Sequence, residues 1–348
     1  MSILSNQKEK ADTQNQEGQP RDKIISLIAG EICSHCLYIA VKLDIAQHLK
    51  SGPKTVTELA KLLAVTPDPL YRLLRLLSSK GIFYEGEGKI FSNNDPSLLL
   101  LKDHPYTLYT MIIFYKEDAL PTFKDFIPAL KDGVTTFEKS YGKRLFGYLE
   151  DRPERADLFN KFMTNKNNFV VHEASKSFDF GKYRSVYDIG GGYGHFIIAI
   201  LDQYPEIEGA VYDSPEVIEK TKLETPELVR RGCKLLDGDF FKSVPKGADV
   251  YILKSIIHDW TDEESLTILK NVNAAMDTSG RLLLVEIVGT APNNFDYAKW
   301  MDVAMFLMTG GQERTLEEYQ KLLEQTGFKI EAIHPTSTEF SIIEASKV

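Results

Sequence analysis

A single histidine, His258, lies between an apolar run and a cluster of acids in KSIIHDWTDEE, residues 254–264. A neutral imidazole with a pKa of about 6.5 can accept a proton as a general base or bind a metal. The same histidine could also be only the polar end of a buried strand. We expect that strand to finish over 255–257, which puts His258 at its carboxyl end, where open α/β sheets bind ligands. This position favours a functional role.

A glycine-rich segment, SVYDIGGGYGHF, precedes the histidine by about 60 residues. The pattern predicts a strand, a tight turn and a helix whose free N–H groups face a ligand, because glycines allow positive φ and close backbone approach. A dinucleotide fingerprint, G-x-G-x-x-G, needs a third glycine at 195, but that residue is His195. Gly190, Gly192 and Gly194 instead give G-x-G-x-G, which favours a nucleoside ligand without a pyrophosphate.

Acidic residues end the next two predicted strands. Asp213 lies 23 residues after Gly190 and can accept hydrogen bonds from ribose hydroxyls. In DGDFF, Asp239 and Phe240 offer an acceptor for an adenine amine and a flat face for its ring. A strand-terminal Asp is often only a helix cap. Three such strand ends in succession predict S-adenosylmethionine as the cofactor.

These residues need a parallel sheet to bring them together. From residue 183 onward, strands alternate with helices, which predicts a parallel sheet with crossover helices. The last two strands form a hairpin. The predicted strands are SVYDIG, GAVYD, CKLLDGD, DVYILKS, RLLLVEIV, KIEAIHP and FSIIEAS.

The N-terminal half predicts a different architecture. Residues 22–49 have helical apolar spacing with faces broad enough to require a partner subunit. A winged helix follows, with Thr57 as the cap of one helix, Asp68-Pro69 opening a second, Gly81 ending it, and two short strands in IFYEGEGKIFS. Residues 98–178 lack strand signals and predict connecting helices, and the polar first ~20 residues predict a disordered tail.

Composition narrows the function classes. The chain has 348 residues, 43% of them hydrophobic, a net charge of −9 and a pI near 5.4, which disfavours bulk nucleic-acid binding. It has three cysteines and no unbroken stretch of about 18 apolar residues, so we expect a cytoplasmic protein. Cys33 and Cys36 flank His35 in CSHC, but a zinc site needs a second ligand pair nearby, so we favour a helical interface.

The chain resembles the S-adenosylmethionine-dependent O-methyltransferases of the plant caffeate and isoflavone type, whose bacterial members act on phenolic and quinonoid secondary metabolites. The matching segments are VYDIGGGYGHF, VYDSPEVI, DGDFFKSVPKGADVYILKSIIHDWTDEE, LLLVEIV and GGQERT. The resemblance implies a homodimer with a disordered tail over 1–20, a winged-helix dimerisation domain over 21–105 and a helical connector over 106–178. Residues 179–348 would form a class I, Rossmann-like methyltransferase domain with a seven-stranded, mostly parallel sheet and a C-terminal antiparallel hairpin.

The resemblance also implies roles for individual residues. His258 matches the general base, flanked by Glu286 and Glu313, and no metal is implied. The cofactor contacts would be Gly190, Gly192, Asp213, Gly238, Asp239, Phe240 and Lys254. The acceptor pocket would be lined by Phe159, Phe162, Met163, Asn167, Trp300, Met301, Met305 and Phe306.

The expected function is methyl transfer to a hydroxyl of an aromatic or polyketide-like small molecule. Two alternatives stay open at this stage. One is cofactor-assisted hydroxylation, decarboxylation or cyclisation on the same fold, and an amine or thiol acceptor is a related variant. The other is a winged-helix DNA-binding regulator, although residues 54–89 contain six basic and four acidic residues, too even a balance for strong phosphate binding.

Overall fold

The computed structural model describes residues 20–290 and 292–348, with the backbone alone for 166–169. The chain divides into two compact units between Lys116 and Glu117. Apart from Pro20, the predicted tail over 1–20 lies outside the described residues. The connector predicted over 106–178 is shared between the units, because helix Tyr109–Phe114 belongs to the first and the following helices belong to the second.

The first unit combines helices with a small antiparallel sheet. Its helices are α1 Pro20–Lys42, α2 Ile45–His48, α3 Val56–Leu63, α4 Pro67–Ser79, α5 Asp95–Leu98 and α6 Tyr109–Phe114. Its strands are β1 Lys54–Thr55, β2 Tyr84–Gly86 and β3 Ile90–Ser92, in the order β1-β3-β2. A 3₁₀ turn, Glu87–Lys89, joins β2 to β3, and Gly88 within it has φ 73°. This is the winged-helix pattern predicted from the sequence.

The predicted cap of α3 is wrong. Thr55, not Thr57, precedes the helix, and its hydroxyl accepts a hydrogen bond from the Glu58 backbone N–H at 3.2 Å. The Glu58 carboxylate accepts in return from the Thr55 N–H at 2.8 Å. This reciprocal box needs a Glu or Gln three residues after the cap, a spacing that Thr55 has and Thr57 lacks.

Helix α1 is unusually apolar for a helix so little covered by its own unit. Among the described residues it is the one helix long and apolar enough to cross a membrane, judged by length and composition alone. Its best 18-residue window has a mean hydropathy of 1.8 and is 11% buried. Polar residues such as Glu31 and His35 interrupt the apolar run, so the helix contains no unbroken apolar stretch of about 18 residues. The large exposed side chains are Ile24, Ile25, Leu27, Ile28, Ile32 and Ile39.

The second unit begins with helices and continues as an α/β domain. A π-helical turn, Tyr115–Ala119, crosses the division between the units, and a 3₁₀ segment, Leu120–Asp125, follows it. The first helices are α7 Phe126–Asp132, α8 Thr136–Tyr141, α9 Leu145–Glu150 and α10 Pro153–Lys176. The α/β part contains a short 3₁₀ turn, Phe180–Lys182, and α11 His195–Gln203, α12 Pro215–Glu224, α13 Pro226–Arg230, α14 Asp262–Ala275, α15 Tyr297–Met308 and α16 Leu316–Gln325.

The large sheet has the strand order β10-β11-β8-β7-β4-β5-β6. These strands are β4 Ser185–Ile189, β5 Glu208–Asp213, β6 Lys234–Asp237, β7 Val250–Lys254, β8 Arg281–Gly289, β10 Phe328–Pro335 and β11 Phe340–Lys347. The pairs from β8 to β6 are parallel, and the β10–β11 hairpin adds to β8 in antiparallel fashion. This confirms the predicted seven strands. A further two-residue strand, β9 Arg314–Thr315, pairs with the end of β8.

The central strands are buried on both sides because helices cover both faces of the sheet. All five residues of β4 are buried, as are the first four of β7. The chain leaves β4 toward β5 on one side and returns to β7 on the other, so the carboxyl ends of β4 and β7 form the crevice where such sheets bind ligands.

Strand β7 ends earlier than the sequence predicted. It stops at Lys254, and the next residue, Ser255, has φ 53°, a left-handed conformation that breaks the strand. Residues Ile257–Asp259 then form a 3₁₀ turn. His258 therefore lies in this turn and not on an extension of the strand over 255–257.

Candidate active site

The glycine turn after β4 is closely packed. Gly190, Gly192 and Gly194 have φ values of 72°, 57° and 74°, in the region that favours glycine. A Cβ added to Gly194 would lie 2.4 Å from Leu228 Cδ1 and 2.9 Å from Val211 Cγ2. The Gly190 N–H donates to the Tyr212 carbonyl at 2.7 Å, which ties the turn to β5. The turn is thus fixed by backbone geometry.

Asp213 connects this turn to the next two strand ends. Its Oδ2 accepts from the Gly192 N–H at 2.9 Å and its Oδ1 from the Ser214 N–H at 2.7 Å. The Gly238 N–H donates to the Asp213 carbonyl at 2.9 Å. Burial raises the pKa of the Asp213 carboxyl. The structure therefore brings the glycine turn, Asp213 and Gly238 together.

The remaining predicted cofactor residues lie around the same edge. Asp239 Oδ1 accepts from the Phe241 N–H at 2.9 Å, and its Oδ2 lies 3.1 Å from Lys242 Nζ. A Cβ on Gly190 would lie 3.5 Å from Phe240 Cε1, so the Phe240 ring flanks the turn. Lys254 ends β7, the neighbour of β4 in the sheet.

Asp188, which was not predicted as a site residue, is the acid of the DIGGG segment. Its side chain is buried, and neither carboxylate oxygen has a hydrogen-bond partner among the described residues. Burial raises its pKa to about 7. A Cβ on Gly191 would lie 2.8 Å from Asp188 Oδ2, so the acid fills the space beneath the glycine turn. An acid at the end of an otherwise apolar strand is the sequence signal that marks it.

His258 is buried, with 3% of its side chain exposed. Its Nδ1 lies 2.8 Å from Glu313 Oε1, in hydrogen-bond contact, and 3.8 Å from Glu286 Oε2. Burial by itself lowers the pKa of the imidazole, but the negative charges of Glu286, Asp259 and Glu313 outweigh it and raise the pKa to about 9. With Nδ1 bound to Glu313, Nε2 is the nitrogen available to a reacting group, and it lies 3.8 Å from Asp259 Oδ1.

Glu286 holds the backbone that carries the histidine. It lies in β8 with no exposed side-chain surface, and its Oε1 accepts from the N–H groups of Ile256 at 3.1 Å and Ile257 at 2.9 Å. Burial raises the pKa of Glu286 to about 7. The structure thus brings together the three predicted residues His258, Glu286 and Glu313, which are separated by up to 55 positions in the chain.

Gly311, in the GGQERT segment, was not predicted as a site residue. A Cβ at this position would lie 1.9 Å from the His258 carbonyl oxygen and 2.5 Å from the Asp259 carbonyl carbon. Both atoms belong to the backbone and cannot rotate away. Only glycine allows this segment to pack on the histidine turn. A repeated Gly-Gly before a charged pair is the only sequence signal, and it does not reveal the contact.

The cluster of His258, Glu286 and Glu313 also has the donors that a metal ion would need. One ligand atom from each residue lies within 4.8 Å of the others. Glu286 Oε2 and Glu313 Oε2 are buried and lack a hydrogen-bond partner among the described residues. Their partner oxygens, however, already accept from backbone amides and from His258.

The predicted acceptor residues occupy helices α10 and α15. The Phe159 ring lies 6.4 Å from Phe146, and Phe146 stacks 6.2 Å from Trp260, two residues after the histidine. The Phe306 ring packs edge-on against Phe126 at 5.8 Å. Phe162, Met301 and Met305 are buried, Met163 is partly buried, and Trp300 packs on Tyr297 with 37% of its surface exposed. The side chain of Asn167 lies outside the described residues.

Two family models match the chain. An O-methyltransferase domain matches residues 123–329, and an O-methyltransferase dimerisation domain matches residues 25–103. The first model covers the glycine turn, His258 and both glutamates, and the second covers the winged-helix region with most of α1.

Named relatives and solved structures agree with this assignment. The chain is 35% identical over 326 residues to a phenazine O-methyltransferase, PhzM, of Lysobacter antibioticus, covering 93% of this chain and 96% of the relative. It is 33% identical to a (RS)-norcoclaurine 6-O-methyltransferase of Coptis japonica, covering 93% and 96%. The crystal structure of CalO1, a methyltransferase in calicheamicin biosynthesis in its SAH-bound form, superposes with a TM-score of 0.85 at 29% identity, covering 95% and 100%. The chain therefore belongs to the S-adenosylmethionine-dependent O-methyltransferases and carries the family's dimerisation domain.

Proposed function

We propose that the protein transfers a methyl group from S-adenosylmethionine to a hydroxyl of an aromatic or polyketide-like small molecule, with His258 as the general base. The observation that carries this proposal is the 2.8 Å contact between His258 Nδ1 and Glu313 Oε1. A carboxylate on one ring nitrogen fixes the tautomer and leaves the other nitrogen to take a proton. Phenazine and norcoclaurine, which name two relatives, are both ring systems.

The cofactor edge fits S-adenosylmethionine. An added Cβ at Gly192 would meet no atom within 4 Å, so open space lies beside the turn there, whereas the Cβ positions of Gly190 and Gly238 face Ile256 and Tyr212. Asp213 is partly buried and Asp188 is buried. We propose that these glycines and Asp213, with Asp239, Phe240 and Lys254, hold the cofactor. When bound, it would supply an electrophilic methyl group on a sulfonium; the methyl–sulfur bond would break with its electron pair left on sulfur, giving neutral S-adenosylhomocysteine.

The chain's own residues then have two tasks. His258 Nε2 takes the hydroxyl proton as the acceptor oxygen bonds to the methyl carbon, and Glu313 stabilises the imidazolium that forms. Glu286 keeps the turn in place through the two N–H groups that precede the histidine. Positioning of this kind can lower the activation barrier by about 7 kcal/mol or more when alignment is good.

The raised pKa of His258 sets a pH dependence. The histidine accepts a proton only when it is neutral, so turnover should rise with pH toward the pKa of about 9. A positively charged cofactor bound nearby would oppose the effect of the carboxylates and would lower this pKa. The acid limb of the profile should therefore lie at lower pH for turnover with saturating cofactor than for the free enzyme.

We propose that the reaction needs no metal. A metal at His258, Glu286 and Glu313 would have to displace the Nδ1 to Glu313 contact and would occupy the nitrogen that orients the base. Incubation with a chelator followed by gel filtration should leave turnover unchanged. Loss of turnover that Mg²⁺ or Zn²⁺ restores would contradict this part of the proposal.

We also propose a cytoplasmic homodimer in which the apolar face of α1 lies against a second subunit, because the dimerisation model includes most of this helix. In α4, Arg72 pairs with Asp68 at 2.9 Å, and Arg75 lies over the Tyr71 ring at 5.4 Å. Asp68 offsets part of this positive charge, which supports our proposal that the unit does not bind a duplex. The dimerisation model supports a second subunit, and not a membrane, as the cover of α1.

The test uses methyl-labelled S-adenosylmethionine with a panel of phenols, flavonoids, quinones and polyketides. Wild type should yield a labelled product with at least one hydroxyl acceptor, and His258→Ala should lose about 10²- to 10⁴-fold in turnover while keeping cofactor affinity. Full turnover by the variant would remove His258 as the base. A converted but unlabelled acceptor would favour cofactor-assisted chemistry, and tight retention of random duplex at low salt would favour the regulator.

A further inference from the structure

Arg314 is among the largest fully buried side chains in the described residues, with no exposed side-chain surface. A buried guanidinium is costly unless every donor finds a partner. Its Nη1 donates to the Ile257 carbonyl at 2.8 Å, and its Nη2 donates to the Trp260 carbonyl at 2.9 Å. Its Nε and Nη2 also donate to Asp262 Oδ1 at 3.0 and 2.8 Å.

These partners surround the catalytic turn. Ile257 immediately precedes His258, Trp260 lies two residues after it, and Asp262 begins helix α14. Arg314 itself lies in β9, which pairs with the end of β8 through Val288. One side chain therefore links the strand that follows Glu313 to the backbone on both sides of the histidine.

We infer that Arg314 is a positioning residue that sets the contact between His258 Nδ1 and Glu313 Oε1. The inference rests on the proposed function, because it gives Arg314 a task only if His258 is the base. Glu313 and Arg314 are consecutive, so the guanidinium fork fixes the turn relative to the same backbone that carries the glutamate. Gly311, in the same segment, packs on the His258 carbonyl. We call the contacts of Arg314 and Gly311 with the histidine turn the clamp.

Arginine is specifically suited to this position. Its planar fork can donate to two carbonyls and one carboxylate at once, whereas a lysine ammonium is a point donor on a flexible chain. Arg314→Lys therefore keeps the positive charge but removes the fork. Any change in the pKa of His258 in this variant then reports a change of geometry more than a change of charge.

The charged groups that face His258 determine whether its pKa should rise or fall in Arg314→Lys. Asp259 lies on its own turn, Glu286 on β8 and Glu313 before β9, while Arg314 is paired with Asp262. The three acids raise the pKa of the histidine, and their effect falls as the ring moves away. A turn loosened by Arg314→Lys should move the still-buried ring away from these acids, which lowers the pKa of His258 and shifts the acid limb of the turnover profile to lower pH.

The experiment compares dimeric wild type with Arg314→Lys, using the acceptor that the methylation panel identifies. We expect turnover to fall about 10- to 100-fold, with KM for the cofactor within about twofold of wild type. Titration of ¹³C-labelled histidine, with His258→Ala used to assign the signal, should show a lower His258 pKa. Wild-type turnover, or a loss of turnover with an unchanged His258 pKa, would overturn the inference.

Arg281→Lys is the matched control. Arg281 also donates to two carbonyls, those of Ser279 and Gly280, and to one carboxylate, Glu344, but it lies at the opposite end of β8. We expect it to change thermal stability without changing the His258 pKa. An equal pKa shift in Arg281→Lys would mean that general loosening of the fold, and not the clamp, moves the histidine.

A second variant keeps the inference testable if Arg314→Lys does not fold. Asp262→Asn leaves the arginine in place and removes its anionic partner, and it should shift turnover and the His258 pKa in the same direction by smaller amounts. No shift in this folded variant would overturn the inference. Failure of the proposed function is recognised separately, because His258→Ala would then retain full turnover.

Discussion

The two halves of the site are built differently, although both lie at the carboxyl edge of one sheet. The cofactor edge depends mainly on backbone groups. Its glycines have positive φ, and backbone N–H groups such as that of Gly192 donate to Asp213. The base turn depends on side chains that reach across long stretches of sequence, with Glu286 and Glu313 converging on His258. On the proposed function, backbone groups would hold the cofactor, which is constant, and side chains around His258 would set the pKa and position of the base.

The difference predicts separable defects. Changes at the cofactor edge should weaken cofactor binding and spare turnover at saturation, and changes around the base turn should do the opposite. The halves do meet at one point, since a Cβ on Gly190 would lie 2.4 Å from Ile256 Cδ1. The following variants test how far the separation holds.

Gly311→Ala should have the largest effect. The added Cβ would overlap the His258 carbonyl oxygen. The turn that carries His258 would then have to move by about 1 Å to relieve the overlap. Displacements of that size can cost about 100-fold in turnover. Steady-state kinetics should show this loss, and calorimetry should show unchanged cofactor affinity. Gly289→Ala, where a Cβ meets the Arg314 carbonyl oxygen at an ordinary 3.6 Å, is the control, and a similar loss in both would contradict the prediction.

Glu313→Gln should come next. It replaces a charge-assisted hydrogen bond, worth about 1.5 to 3 kcal/mol, by a neutral one worth about 0.5 to 1.5 kcal/mol, so turnover should fall about 5- to 30-fold. Removing a negative charge lowers the pKa of His258 from about 9, so the acid limb should move to lower pH. The pH dependence of turnover measures both effects. Glu317→Gln, on the exposed face of α16, should match wild type, and a limb that moves to higher pH in Glu313→Gln would count against the pairing.

Asp213→Asn tests the cofactor edge. The asparagine keeps one acceptor oxygen but loses the charge, so we expect cofactor affinity to fall by several-fold up to about tenfold. Turnover at saturating cofactor should stay within about twofold of wild type. A twofold change corresponds to about 0.5 kcal/mol, the contribution of the weakest hydrogen bonds. Titration calorimetry and saturation kinetics separate the two quantities. A fall in turnover with unchanged affinity would break the division between the halves.

Lys242→Met should have the smallest effect. Lys242 is exposed and pairs with Asp239 at 3.1 Å, a surface ion pair worth well under about 1 kcal/mol. Cofactor affinity should remain within about twofold of wild type by the same estimate. A larger change in calorimetry would show that the pair orders Asp239 for the ligand.

Short-range features of the fold could be predicted from the sequence. The strands, the glycine turn and Asp213 depend on patterns within a few residues or on the order of the strands. The cap at Thr55 was missed because two threonines compete and only one has Glu58 at the right spacing. The end of β7 was predicted too late because a serine does not indicate the positive φ that Ser255 adopts.

Long-range packing could not be predicted in the same way. Resemblance to a family placed His258, Glu286 and Glu313 together, but no periodicity joins residues 55 positions apart. Gly311 and Arg314 escaped notice because their roles depend on what they touch. A buried arginine looks like a surface arginine until the carbonyls of Ile257 and Trp260 are seen around it.

The raised pKa of His258 also links proton uptake to folding. A histidine whose pKa is about 9 when folded and 6.5 when unfolded stabilises the native state fully below about pH 6.5 and loses that contribution as the pH rises through about 9. The buried Glu286, whose pKa is also raised, acts in the same direction. Thermal unfolding of the cofactor-free protein should therefore occur at lower temperature in alkaline buffer, and His258→Ala should flatten that trend. The pH range in which the base is ready to accept a proton is thus the range in which the native state is losing stability.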